Sequence, residues 1–72
     1  MDDTVQAARA ALQQRLRALA TQLREIHAQW QEAVQMQDRP RQSALIVREG
    51  ALITEVQEVM AAYQDLIARH HG

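Results

Sequence analysis

Two long stretches of the chain place apolar residues alternately three and four positions apart. In the first stretch these positions follow a heptad, with position a at Leu16, Leu23 and Trp30 and position d at Val5, Leu12, Leu19, Ile26 and Ala33. Such spacing keeps the apolar side chains on one face of an α-helix. Arg9 breaks the pattern at an a position. We therefore predict a first helix over about 4–37.

The second stretch repeats the pattern and adds a further column. Its a positions include Val56, Tyr63 and His70, with Glu49 as the exception, and its d positions are Leu45, Leu52, Val59 and Leu66. A second apolar column follows at position e, at Ile46, Ile53, Met60 and Ile67. The apolar face of this helix is therefore wider than one neighbouring helix requires. We predict a second helix over about 41–70 and treat the e column, called here the apolar column, as a candidate interaction surface.

The polar segment between the two stretches predicts a reversal of the chain. Pro40, the only proline, is disfavoured inside a helix but tolerated in its first turn. Asp38 is a good N-cap residue for a helix that starts there. We place the turn at about 38–40, so that residues 1–72 form a single helical hairpin. The alternative is one long helix kinked at Pro40.

Folding the chain at Pro40 brings matching heptad positions together. Position d then faces d in the pairs Ala33–Leu45, Ile26–Leu52, Leu19–Val59 and Leu12–Leu66. Position a faces a in the pairs Trp30–Glu49, Leu23–Val56, Leu16–Tyr63 and Arg9–His70. Every strongly apolar layer finds an apolar partner except the layer that joins Trp30 and Glu49. This agreement supports an antiparallel hairpin.

Size and composition extend this prediction to an assembly. A chain of 72 residues without cysteine builds a small core that no disulfide can reinforce. We therefore expect an all-α antiparallel helical hairpin that dimerises into a four-helix bundle. The start of the chain carries no signal-peptide pattern and no apolar run reaches the length of a bilayer span, so we expect a cytoplasmic protein without a membrane partner.

The sequence shows no constellation of residues that would support catalysis or metal binding. Glu25 and His27 are two positions apart and lie on different faces of a helix, unlike the ligand pairs of di-iron bundles. Ser43, the only serine, falls in the first turn of the second helix without a base beside it. There is no glycine-rich phosphate-binding loop. We expect no enzymatic activity, no cofactor and no metal ion.

The adjacent residues Glu49 and Gly50 interrupt the apolar face opposite Trp30. A helical glycine and a carboxylate on an apolar stripe both reduce stability, so the pair requires an explanation. In one interpretation Gly50 makes room for the indole, and Glu49 accepts a hydrogen bond from the indole N–H or from an arginine. In the other interpretation Trp30, Glu49 and Gly50 form a notch that receives a partner.

Arginine supplies all the positive side chains, and Arg39, Arg41 and Arg48 form a basic hairpin tip. The net charge of −1 argues against general binding of polyanions. Our first hypothesis is a non-enzymatic adaptor, co-chaperone or assembly subunit that binds itself or a helical protein partner. The alternative hypothesis is a regulatory helical-bundle dimer that binds RNA or DNA.

Overall fold

The chain folds into two α-helices that reverse direction between them. The computed structural model describes residues 3–71, and describes side chains for residues 3–69. Helix α1 spans Asp3–Gln35 and helix α2 spans Arg39–His71, and the two pack against each other as a hairpin. The described residues extend over 55 × 15 × 12 Å, the shape of a thin rod. The hairpin rules out the alternative of one long helix kinked at Pro40.

The reversal occurs over residues 36–38 and uses a Schellman motif. The amide of Gln37 donates to the carbonyl of Val34 at 3.1 Å, and the amide of Asp38 donates to the carbonyl of Ala33 at 2.9 Å. Gln37 has a φ of 54°, in the left-handed region where glycine is the usual occupant. The motif satisfies two carbonyl groups at the end of α1 and ends that helix at Gln35, short of the predicted end near residue 37.

The first turn of α2 is closed by the side chain of Asp38. Its Oδ1 accepts a hydrogen bond from the amide of Arg41 at 3.2 Å, which confirms the predicted N-cap. Helix α2 begins at Arg39, so Pro40 lies in the first turn, where a missing amide breaks no helical hydrogen bond. The Gln42 side-chain amide also donates to the carbonyl of Ala33 at 3.3 Å and joins the two helices at the turn.

The core of the hairpin consists of the d positions from both helices. Six of the described residues are buried, at 7% exposure or less: Leu19, Ile26, Ala33, Leu45, Leu52 and Val59. These are the members of the three inner d layers expected from the heptad, which confirms that part of the prediction. Half-buried residues pack against this core, namely Leu12, Leu16, Leu23, Trp30 and Val56. Among the described residues, no polar or charged side chain is buried.

Polar contacts join the helices towards the open end of the hairpin. Arg9 Nε donates to the hydroxyl of Tyr63 at 3.1 Å, and the guanidinium carbon lies 5.9 Å from the centroid of the ring. Arg15 forms an ion pair with Glu55 at 3.7 Å. The predicted layer that pairs Arg9 with His70 involves a side chain outside the described residues. The observed partner of Arg9 is Tyr63 on the other helix, whose hydroxyl lies within reach of the long arginine side chain.

The contact between Arg9 and Tyr63 predicts a shifted titration. The hydrogen bond from Arg9 holds the pKa of Tyr63 below its ordinary value of 10.0, and the positive charge of Arg9 adds to that effect. Tyr63 is the only tyrosine, so the absorbance of its phenolate reports this group alone. We expect the titration midpoint to rise in Arg9→Ala and to stay unchanged in the control variant Arg15→Ala.

The sign of the associated stability change follows from this shift. Because folding lowers the pKa of Tyr63, the phenolate form favours the folded state at pH values above the unfolded pKa. That contribution disappears as the pH falls through the folded pKa. Equal titration midpoints of Tyr63 in the wild type and in Arg9→Ala would contradict the contact between Arg9 and Tyr63.

Candidate functional site

Most of the apolar column of α2 is exposed to solvent. Ile46 is 59% exposed, Ile53 is 43% exposed and Met60 is 49% exposed, whereas Ile67 is half-buried. Each of these residues follows a d residue by one position and therefore lies about 100° around the helix from the core. The hairpin thus covers the d column with α1 and leaves the apolar column without a neighbouring helix.

A second column beside the apolar column completes a wider surface. Ser43, Gly50, Gln57 and Gln64 are all exposed and recur every seven residues. Together the two columns alternate in steps of three and four, the spacing of a second heptad stripe. We call this surface the outer face of α2; it consists of Ser43, Ile46, Gly50, Ile53, Gln57, Met60, Gln64 and Ile67. None of these residues is charged. Only the apolar column was predicted from the sequence, although the second column has the same spacing of seven residues.

A pocket opens beside Trp30 at the end of the hairpin near the turn. Its volume is about 130 Å³, and it is lined by Ile26, His27, Trp30, Leu45, Ile46 and Glu49. Trp30 and Glu49 are both half-buried, so the indole and the carboxylate contribute to the wall without being enclosed. Within the described part of the chain, Glu49 has no hydrogen bond or ion pair with Trp30 or with an arginine.

Gly50 does not belong to this pocket. A Cβ atom built on Gly50 would meet no atom of the described residues within 4 Å. The interpretation that Gly50 makes room for the indole is therefore wrong. Consecutive residues of a helix point about 100° apart, so Glu49 faces the pocket while Gly50 lies on the outer face of α2. Of the three predicted notch residues, the structure brings together Trp30 and Glu49 only.

The basic tip is not a uniform positive surface. Arg39 and Arg48 are exposed, but Arg41 is half-buried and forms an ion pair with Glu32 at 3.8 Å. The carboxylate of Asp38 lies at the same turn, where it caps α2. The structure therefore interleaves positive and negative groups at the tip.

The described residues give no sign of a metal centre or a membrane span. Within residues 3–69, no group of three or more histidine, cysteine, aspartate or glutamate side chains is placed to hold an ion. In that same part of the chain, neither helix has the length and apolar character needed to cross a bilayer. The outer face of α2 and the adjoining pocket are candidate sites for binding a partner.

Comparisons of the chain with protein-family models, curated proteins and solved structures give no match. The surface of the hairpin is therefore the feature that indicates what the chain binds.

Proposed function

We propose that this chain is a non-enzymatic protein-interaction module that acts through self-association or by docking onto the helices of a partner. Its role would be that of an adaptor, a co-chaperone or an assembly subunit. The observation that carries this proposal is the exposed apolar column of α2, which lies beside a core that α1 already fills. Large apolar side chains in a continuous exposed row are typical of a binding surface.

The surface area of the hairpin supports the same proposal. Its accessible surface is 5756 Å², whereas a compact monomer of 8.2 kDa is expected to expose about 4,500 Å². The excess of about 1,200 Å² exceeds the roughly 800 Å² that each partner contributes to an interface of standard size. The hairpin thus has enough surplus surface for a stable interface.

The small core gives an energetic reason for association. Only six side chains of the described residues are buried, and a core in a chain of this length rarely provides more than about 3–5 kcal/mol. The sequence contains no cysteine that could form a disulfide. Burial of further apolar surface against another helix would add stability at about 25 cal/mol per Å².

The described residues offer no observation that favours the alternative of a nucleic-acid-binding bundle. Arg41 is paired with Glu32, and Arg15 is paired with Glu55. The half-buried Trp30 and Tyr63 lie on the face of each helix that packs against the other, so neither presents an open ring for stacking on bases. Binding to RNA or DNA that weakens steeply with salt would support this alternative against our proposal.

A capture experiment tests the proposed surface. Tagged wild-type chain should retain an untagged copy or a host protein, and Ile53→Glu should lose that binding because it places a carboxylate in the apolar column. Val47→Glu is the matched control, since Val47 is 74% exposed and lies outside the outer face of α2. We expect the wild type and Val47→Glu to retain the captured protein and Ile53→Glu to lose it. Equal binding by all three chains would contradict the proposal.

A further inference from the structure

We propose that the outer face of α2 binds the same face of a second copy, with the two α2 helices antiparallel and a two-fold axis at Gln57. This inference rests on the proposed function and names the partner of that surface. The interface is isologous, so each residue of the face has a counterpart on the other copy.

The apolar residues of the outer face are placed symmetrically about its centre. Ile46 and Ile67 have the same midpoint as Ile53 and Met60, between Val56 and Gln57, which is within half a residue of the two-fold axis at Gln57. An antiparallel pairing about that point sets Ile46 against Ile67 of the second copy, and Ile53 against Met60 of the second copy. Every apolar member of the face then meets another apolar side chain.

The polar residues of the face fit the same register. Gln57 is midway between Gly50 and Gln64, so Gln57 meets its own counterpart at the two-fold axis. Each glutamine amide carries both donors and acceptors, so two facing amides satisfy one another. The pairing about Gln57 is preferred to one shifted by a heptad, because the shifted pairing would leave Ile46 or Ile67 without an apolar counterpart.

This arrangement also explains Gly50. The same register sets Gly50 against Gln64 of the second copy, and the missing Cβ gives that longer side chain room. Glycine weakens a helix, and within the hairpin itself no atom of the described residues approaches the position of its Cβ. The hairpin alone therefore provides no reason for glycine at this position, whereas a second helix does.

Charge favours α2 over α1 as the surface of association. The outer face of α2 carries no charged residue, so two copies meet without like-charge repulsion. The equivalent columns of α1 contain Arg17 and Arg24, both exposed. The outer face also lies about 100° around α2 from the core face, which is close to the angle between neighbouring helices in a four-helix bundle.

Cross-linking through single cysteines tests the register. Because the chain contains no cysteine, each variant has one thiol. We expect Gln57→Cys to form a disulfide-linked dimer on oxidation at least about tenfold faster than Glu58→Cys, since a disulfide requires two Cα atoms about 4.4–6.8 Å apart. Glu58 is the matched control because it is exposed, follows Gln57 directly and points about 100° away from it, outside the outer face of α2. A mixture of Ile53→Cys and Met60→Cys should yield mainly the mixed dimer.

The outcomes separate this inference from the proposed function. Equal cross-linking rates for Gln57→Cys and Glu58→Cys, in a protein that sediments as a dimer, would overturn the register but leave an interaction module. A wild-type chain that stays monomeric would rule out a second copy as the partner. The capture experiment with Ile53→Glu would then still test the proposed function. Preferential Gln57→Cys and mixed-dimer cross-links support the inference.

Discussion

Replacing Ile26 with alanine is expected to lower the free energy of unfolding by about 2–5 kcal/mol. Ile26 is 2% exposed and lies in the middle of the core, between the buried residues Leu19 and Ala33 on the same helix. The substitution removes apolar surface and leaves a cavity that two long helices cannot easily collapse around. Because a core in a chain of this length rarely supplies more than about 3–5 kcal/mol, this one change should unfold a large fraction of the protein.

Urea denaturation followed by circular dichroism measures this loss, with all variants at one protein concentration, because association adds to apparent stability. Val47→Ala serves as the control, since Val47 is 74% exposed and its truncation should change stability by less than about 0.5 kcal/mol. Equal effects of the two substitutions would contradict the core that the hairpin shows.

The second large effect is expected from Ile53→Glu combined with Ile67→Glu, which should weaken self-association by at least about 100-fold, or about 2.7 kcal/mol. Ile53 is 43% exposed and Ile67 is half-buried in the hairpin, so both side chains reach solvent there. In the proposed assembly both would become buried against a second helix. A buried carboxylate without a partner is costly, so the charged variant should remain dissociated.

The dependence of the unfolding temperature on protein concentration measures this second effect. For an associating protein the midpoint rises with concentration, whereas for a monomer it does not. We expect a rise for the wild type and none for the double variant. Ala44→Glu with Ala51→Glu is the matched control, because it adds the same charge at exposed positions outside the outer face of α2. A wild-type unfolding temperature that does not change with protein concentration would contradict the proposed association.

The heptad spacing alone was sufficient to predict the core. The six buried residues are all d positions, because a repeat of seven keeps the same side chains against the neighbouring helix along its whole length. The outermost d layer, Leu12 with Leu66, is only half-buried. The reversal near Pro40 was also predictable, since both proline and the Asp38 cap have strong local preferences.

The details of the turn could not be predicted in the same way. Gln37 adopts the left-handed conformation that glycine usually adopts, so a glutamine at this position did not indicate the turn conformation. The turn is instead fixed by two hydrogen bonds to the carbonyl of Ala33. The Asp38 amide donates one of them, and the Gln42 side-chain amide on α2 donates the other. Such contacts depend on the packing of both helices.

The candidate site could be predicted in part from the sequence. The apolar column followed directly from the spacing of Ile46, Ile53, Met60 and Ile67. The error about Gly50 arose because it was assigned to the layer of its neighbour Glu49, although adjacent helical residues point in different directions. The partner could not be predicted, because a surface without catalytic or ligand-binding groups identifies an occupant only by its shape and polarity.

Sedimentation equilibrium of the wild-type chain tests the central claim most directly. If the outer face of α2 binds a second copy, the mass at micromolar to hundred-micromolar concentration should be twice the 8.2 kDa of one chain. Circular dichroism on the same samples should show a helical protein. A folded monomer of 8.2 kDa throughout this range would contradict the claim.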